Sequence, residues 1–400
     1  MTAPEPFRFP IAARYAGMES SPLKDIFALA ARPDVVSFAG GIPDPALFEL
    51  ADVQAAYDWV LTHHGARALQ YGVSEGELEL REQAARRVSR HLPTTAEQIR
   101  ITSGSQEGLF VAAQAMLEPG DTVLVESPTY LAAVQAFSVH GARMLGVETD
   151  DEGVVPEALE QAIREHHPKF VYLIPTFQNP TGRTMPLARR RAVAEVLLRT
   201  GTALVEDDPY GALSFTGTTY PAIASLPGMA ERTLLMNSMS KLMAPGVRIG
   251  WIRAQGPMLD TLAVAKAAIS MQSSVVDQLT VARYLEVCDL DAHVARVSAV
   301  YRERRDAMSA ALAPVLPAGA HVTRPEGGMF LWAALGEGFD AQSMLAEAVA
   351  AGVAYLPGWS FFADSPDRST MRLSFVTHAP EVIQSAIARL GEVVAAHGGR

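Results

Sequence analysis

The stretch SMSKLMAPGVRIGW, residues 238–251, sets one lysine, Lys241, between Ser238 and Ser240, with Arg248 a short way on. Hydroxyls and a guanidinium around a single amine are the ingredients of a phosphate site built about a nucleophile. A guanidinium donates two parallel hydrogen bonds to phosphate oxygens. An amine that is desolvated, or held beside another cation, loses its proton and attacks carbonyls. A compound carrying both a carbonyl and a phosphate suits such a segment, and pyridoxal 5′-phosphate (PLP) is one. Taken alone, the segment reads equally well as a Ser/Gly/Pro loop with surface cations.

Other candidates stand beside it. IRITSGSQEGLFVAA reads as strand, turn and helix, and the unpaired N–H groups at the start of that helix favour an anion near Ser105 and Gln106. Ser103 and Gln106 have capping-box spacing, which is the preferred reading of that pair in isolation. In LVEDDPYGAL, Asp207 ends an apolar run and Tyr210 follows three positions later. A carboxylate at a buried strand end needs a partner, and a protonated pyridine nitrogen would supply one. Asp208 faces the other way and reads as structural. Asn179, before Pro180 in IPTFQNPTGRTM, carries a turn signature and could also donate to a ring oxygen. Tyr130 in ESPTYLAA could stack on a flat heterocycle or belong to the core. Arg372 interrupts the apolar strand pattern of TMRLSF, so it pairs either with a substrate carboxylate or with an internal Asp or Glu.

The elements that must position these residues follow from the pattern of apolar runs. Short runs at 99–102, 122–126, 170–175, 202–207, 233–238 and 248–254 alternate with helical patterns such as Gly108 to Leu117 and Pro186 to Leu198. That alternation predicts an α/β fold with a mostly parallel sheet flanked by helices. Candidate residues follow directly after several of the runs, where ligands bind in open parallel sheets. Beyond Pro257 the pattern changes to long helices, 257–286 and 289–313, and then to strand candidates at 321–324, 328–335, 353–357 and 371–375. The expected division is an N-terminal segment (1–46) joining a small α+β C-terminal domain (281–400), with a large cofactor-binding domain (47–280) between them.

Composition bounds the answer from outside. The chain has 400 residues, 49% hydrophobic and 19% charged, enough for a sizeable core. A net charge of −11 argues against nucleic-acid and anionic-membrane partners. The single cysteine, Cys288, allows no internal disulfide and no zinc spacing, and reads as a buried small hydrophobe. MTAPEPFRFP lacks the features of a signal peptide, and no apolar stretch spans a bilayer without a charge or a proline, so a cytoplasmic location is expected.

The motifs, taken in order, resemble those of the fold-type I PLP-dependent aminotransferases of class I/II, in particular the branch containing 2-aminoadipate aminotransferase and kynurenine aminotransferase II. They are SFAGGIPDPALF (37–48), LQYGVSEGELELRE (69–82), SGSQEGL (103–109), ESPTY (126–130), PTFQNPTG (175–182), EDDPYGAL (206–213), SMSKLMAPGVRIGW (238–251), PEGGMFLW (325–332) and RLSF (372–375). The resemblance implies that Lys241 forms a Schiff base with PLP and then serves as the base of the 1,3-proton shift. Asp207 would pair with the pyridine nitrogen, Asn179 and Tyr210 with the ring oxygen, and Tyr130 would stack on the ring. Ser105, Gln106, Ser238, Ser240 and Arg248 would hold the phosphate, with Tyr71 entering from the neighbouring subunit of a homodimer. Arg372 and Asn179 would bind the substrate α-carboxylate, with Gly40 and Gly41 allowing close backbone approach.

The implied activity is ping-pong transfer of an amino group from an L-amino acid to a 2-oxo acid such as 2-oxoglutarate. A lyase or decarboxylase on the same scaffold is an alternative. A PLP-binding sensor domain is another, although no DNA-binding extension is present in the sequence. In SSPLKDIFAL, Lys24 stands where relatives acting on 2-aminoadipate tend to carry an arginine. A lysine offers no bidentate fork for an acidic side chain. That leaves room for aromatic or branched-chain donors, with Phe177 and the pair Phe361–Phe362 as possible apolar lining, although the pair reads more readily as core.

Overall fold

The computed structural model describes residue 7, residues 9–15 and residues 32–398. Its centre is a seven-stranded sheet in the order Ile99–Thr102, Gly250–Arg253, Thr233–Ser238, Ala203–Asp207, Phe170–Leu173, Thr122–Glu126, Arg143–Val147. Gly250–Arg253 runs antiparallel to both of its neighbours, and the other pairings are parallel. The sheet is thus mostly parallel, as the alternation of strands and helices requires. The edge strand Arg143–Val147 was not legible in sequence, because it is only partly buried and begins with an exposed arginine.

Both faces of the sheet are covered. Leu124, Val171, Leu173 and Leu204 pack against Leu159, Ile163, Val193 and Leu197 of the helices Pro156–His166 and Leu187–Thr200. On the other face Val123, Val125, Phe170, Tyr172 and Val205 join the main core with Leu109, Ala112 and Phe137 of the helices Ser105–Met116 and Leu131–Ser138. Alternation along each strand therefore sends successive side chains into different cores. Apolar runs with no polar face follow from that double burial.

The long helical pattern after Pro257 is broken. The helix Met258–Ser270 ends, Met271 adopts a left-handed φ of 60°, and Val275–Val287 starts with Ser274 as its cap. Leu290–Leu312 follows, with the Asp289 side chain accepting from Ala292 N at its start. The C-terminal portion holds a four-stranded antiparallel sheet in the order His321–Val322, Phe330–Ala334, Thr370–Ser374, Leu356–Pro357. Val36–Ser37 pairs in parallel with Val353–Ala354, bringing residues 36–37 against this portion. Cys288 caps the helix Val275–Val287, half-buried against the main core rather than fully inside it. No helix among the described residues is long and apolar enough to cross a membrane.

Candidate active site

Lys241 stands just past the strand Thr233–Ser238, and its Nζ donates to the Gly41 carbonyl at 2.8 Å. A Cβ on Gly41 would lie 2.5 Å from Phe330 Cζ, so glycine is what lets this backbone sit so close to the ring. Burial, with the Arg372 and Arg248 cations nearby, lowers the Lys241 pKa to about 8. The amine therefore gives up its proton more readily than an ordinary lysine does.

Arg248 reaches from a residue of φ 50° to the start of the helix Ser105–Met116. Its Nη2 donates to Ser103 O at 2.9 Å, and Nη1 to Ser240 Oγ at 3.5 Å. Gly104 is the N-cap, with φ 83°, and a Cβ there would fall 2.5 Å from Arg248 Nη2. A guanidinium thus rests beside the positive end of a helix, two like-signed groups that an anion would bring together favourably. The expected capping box does not form. Ser103 N instead donates to Glu107 Oε2 at 2.5 Å, while the Ser103 hydroxyl turns to Ser273 Oγ at 3.1 Å. Gln106 Nε2 donates to Ala132 O at 3.2 Å. The helix therefore starts at Gly104 with no side chain capping it.

Asp207 ends its strand fully buried. Its Oδ2 accepts from the Tyr172 hydroxyl at 2.9 Å, while Oδ1 has no hydrogen-bond partner among the described residues. Burial pushes the carboxyl up to about 7, with the Tyr172 bond opposing and the charge of Asp208 adding. Asp208 accepts from Gly211 N at 2.9 Å, a turn role that matches its structural reading.

Arg372 is buried, and no carboxylate pairs with it among the described residues. Nη1 donates to Asn179 Oδ1 at 2.8 Å and Nη2 to Ala39 O at 2.7 Å, with Nε unpartnered. The guanidinium lies 4.2 Å from the Phe330 ring centroid and 4.9 Å from that of Phe361. Burial lowers its pKa to about 10. Asn179 Nδ2 in turn donates to the Tyr210 hydroxyl at 3.3 Å. Burial holds the Tyr210 hydroxyl well above its ordinary pKa, and pushes that of Tyr130 up to about 12.

At the centre of these groups is a cavity of about 310 Å³. It brings together Gly40, Gly41, Ser105, Gln106, Tyr130, Asn179, Asp207, Tyr210, Ser238, Ser240, Lys241, Arg248 and Arg372. Tyr71 is not among its lining residues: it follows the helix Leu50–Ala68 and stands 77% exposed in the single chain. Lys24 lies outside the described residues. Phe177 does not line the cavity either. It is fully buried against Gly327 and Gly328, in the core. Phe361 packs edge-on against Trp332 beneath Arg372.

Sequence reasoning passed over Tyr172, Phe330 and the Ala39 carbonyl. Tyr172 had a signal, since a tyrosine inside an otherwise apolar buried run must place its hydroxyl on a partner. The other two had none, because their role depends on where distant segments fold. Ile42, Pro43, Ile174, Pro209, Pro245 and Phe330 complete the cavity as apolar lining.

PLP fits these residues. The orphaned Asp207 Oδ1 is placed for a ring N–H donor, the Gly104 cradle with Arg248 for a phosphate, and the Lys241 amine for a carbonyl. Fold and cavity together define a PLP-dependent enzyme of fold type I. A family model for aminotransferase class I and II matches residues 36–390, and the chain belongs to that family as a PLP-dependent aminotransferase. It is 39% identical over 385 residues to aromatic-amino-acid aminotransferase 1 of Thermococcus litoralis, across 94% of this chain and 92% of that one. A kynurenine aminotransferase of Pyrococcus horikoshii, solved with PMP, superposes with a TM-score of 0.92 at 35% identity, covering 96% of this chain and 97% of that one. The α-aminoadipate aminotransferase of Thermus thermophilus, solved with N-(5′-phosphopyridoxyl)-L-leucine, gives 0.91 at 33% identity, covering 97% and 98%.

Proposed function

We propose that this enzyme moves the amino group of an aromatic or branched-chain L-amino acid, or of 2-aminoadipate, to a 2-oxo acid, 2-oxoglutarate among them, in ping-pong fashion. The observation that carries the reading is Arg372, a buried guanidinium with no acid partner among the described residues, sharing a cavity with the Lys241 amine. A buried charge left without a counter-charge inside the protein suits a site that receives one from a ligand. A substrate α-carboxylate, bound in two parallel hydrogen bonds with Asn179 alongside, would do so. Gly40 and Gly41 leave room for it.

PLP, when bound, supplies an electrophilic carbonyl and a ring that takes up electrons from the adjacent carbon. The chain's own residues do the rest. Lys241 Nζ would be the group that holds the carbonyl and, when free, would take the proton from the substrate α-carbon. Its lowered pKa suits that task near neutral pH. Asp207 Oδ1 holds the ring nitrogen, Tyr210 and Asn179 hold the ring hydroxyl, and Tyr130 covers one face. Ser105, Gln106, Ser238, Ser240 and Arg248 hold the phosphate, and the exposed Tyr71 completes that site in the second copy of a homodimer.

The small domain (281–400) carries Arg372 and is joined by the N-terminal segment (1–46), while the large domain (47–280) binds the cofactor. Pairing of Val36–Ser37 with Val353–Ala354 supports that grouping. Cytoplasmic residence accords with a single, free cysteine.

Among the described residues the cavity offers no guanidinium besides Arg248 and Arg372, and its remaining wall includes Ile42, Pro43 and Phe330. That favours aromatic and branched-chain donors over an acidic side chain. The test is single-turnover conversion of the holoenzyme to its pyridoxamine form with a panel of donors, followed by absorbance. Fast conversion by aromatic or branched-chain amino acids is expected. Conversion by 2-aminoadipate alone would overturn that preference, and no conversion by any donor would overturn transamination of this class.

A further inference from the structure

Tyr172 lies inside the sheet, out of the cavity, yet it touches the one carboxylate the cofactor ring would meet. The strands Phe170–Leu173 and Ala203–Asp207 run in parallel with Tyr172 opposite Val205, so Asp207 comes two residues farther on the same face. A long side chain reaches such a diagonal neighbour. The Tyr172 hydroxyl sits 2.9 Å from Asp207 Oδ2 and is the one donor to that carboxylate among the described residues. Its ring is fully buried and set edge-on to Phe137, with centroids 5.5 Å apart, which leaves the hydroxyl little freedom. With Oδ2 engaged, the free oxygen is Oδ1.

We propose that Tyr172 is a positioning residue for the cofactor: its hydrogen bond turns Asp207 Oδ1 toward the cavity and keeps the carboxylate ionised against the pyridine nitrogen. The proposal rests on the reading of Asp207 as the partner of that nitrogen. A hydrogen bond donated to an ionised carboxylate favours the ionised form, whereas burial alone favours the neutral one. A neutral Asp207 would hydrogen-bond a neutral ring without holding a charge on it, and the ring would draw electrons less strongly. Burial and the neighbouring Asp207 charge hold the Tyr172 proton in place far above neutral pH, so Tyr172 stays a donor throughout the working range.

The test uses the full-length apo-protein titrated with two probes. One is PLP; the other is its carbocyclic analogue, which keeps the aldehyde, hydroxyl and phosphate but has C–H in place of the ring nitrogen. Tyr172→Phe removes only the hydroxyl and keeps the ring against Phe137. Expected is an affinity for PLP lowered about tenfold, the loss of one hydrogen bond to a charged group, with affinity for the carbocyclic analogue held within about twofold. The pH midpoint of the holoenzyme's visible absorption band should also move up, because a less positively charged ring leaves the lysine nitrogen linked to it holding its proton more tightly. Equal losses for both probes would make Tyr172 a packing residue and overturn the proposal, as would unchanged affinity for PLP. A wild type that does not distinguish the two probes would overturn the Asp207 reading itself. Should Tyr172→Phe not fold, Tyr172→Met fills the same space without a donor and is judged by the same two affinities.

Discussion

Glu206 and Asp207 are consecutive carboxylates on one strand, and they differ in what surrounds them. Glu206 faces the core beneath the helix Leu187–Thr200, where its two oxygens accept from Ile223 N and Ala224 N at 2.8 Å each. Asp207 faces the opposite core at the cavity's edge, with one oxygen on Tyr172 and the other on nothing. The same contrast separates two buried arginines. Arg190 donates to the carbonyls of Met185, Pro221 and Pro175 and to the Thr176 hydroxyl, all within 3.0 Å. Arg372 meets two acceptors and keeps Nε unpaired. Buried polar groups are nearly always satisfied, so an unsatisfied one at a cavity marks where a ligand completes the structure. Glu206 and Arg190 hold the scaffold; Asp207 and Arg372 wait for chemistry.

The largest test of that contrast is Lys241→Ala, which should lower turnover by about 10⁴-fold or more while leaving the fold intact. A variant with near-normal steady-state rates would end the assignment. Next, Asp207→Asn should cost about 10³-fold in kcat and leave the thermal midpoint of the apo-protein unchanged or raised. Its neighbour Glu206→Gln should do the reverse: activity per folded molecule retained, stability lowered by about 2 kcal/mol, since an amide N–H then faces a backbone donor. Parallel losses in both variants, measured by calorimetry and by rates, would erase the distinction.

A smaller effect separates the arginines. Arg372→Lys should raise the KM for the amino donor by about 30-fold through loss of the planar fork, with little change in the thermal midpoint. Arg190→Lys should lower the midpoint and leave KM alone. The mildest effect is on pH. The folded-state pKa of Asp207 is raised to about 7. Its stabilising contribution to the apo-protein is therefore fully present below the unfolded value near 4 and is lost as pH rises through 7. Urea unfolding of the apo wild type, relative to Asp207→Asn, should weaken across that window by on the order of 1 kcal/mol per pH unit. PLP should flatten the slope, and a slope of opposite sign would show that Asp207 is already paired within the chain.

Much of the site could be read from local spacing. Ser238 ends one strand, Ser240, Lys241 and Arg248 lie in the connection from it to the next, Asp207 ends another strand, and Asn179 and Ser105 follow other apolar runs, so short-range pattern was enough to place them at strand ends. The edge strand at 143–147, the break at 271–274 and the antiparallel strand 250–253 were less legible. Partial burial blurs the apolar signal at an edge, and strand direction depends on partners rather than on composition.

By itself, then, the sequence determined the class of chemistry: an amine among phosphate ligands, an alternating α/β pattern, and motifs in the order of one family. Tertiary structure alone decided which polar groups were left open. Asp207 meets Tyr172 across 35 positions of chain, and Arg372 meets Asn179 and Ala39 across 193 and 333. It also turned Ser103 away from its cap and put Phe177 in the core. The physical reason is range. Caps, turns and strand runs depend on neighbours within a few residues, whereas the satisfaction of a buried charge depends on register and packing between segments far apart in the chain.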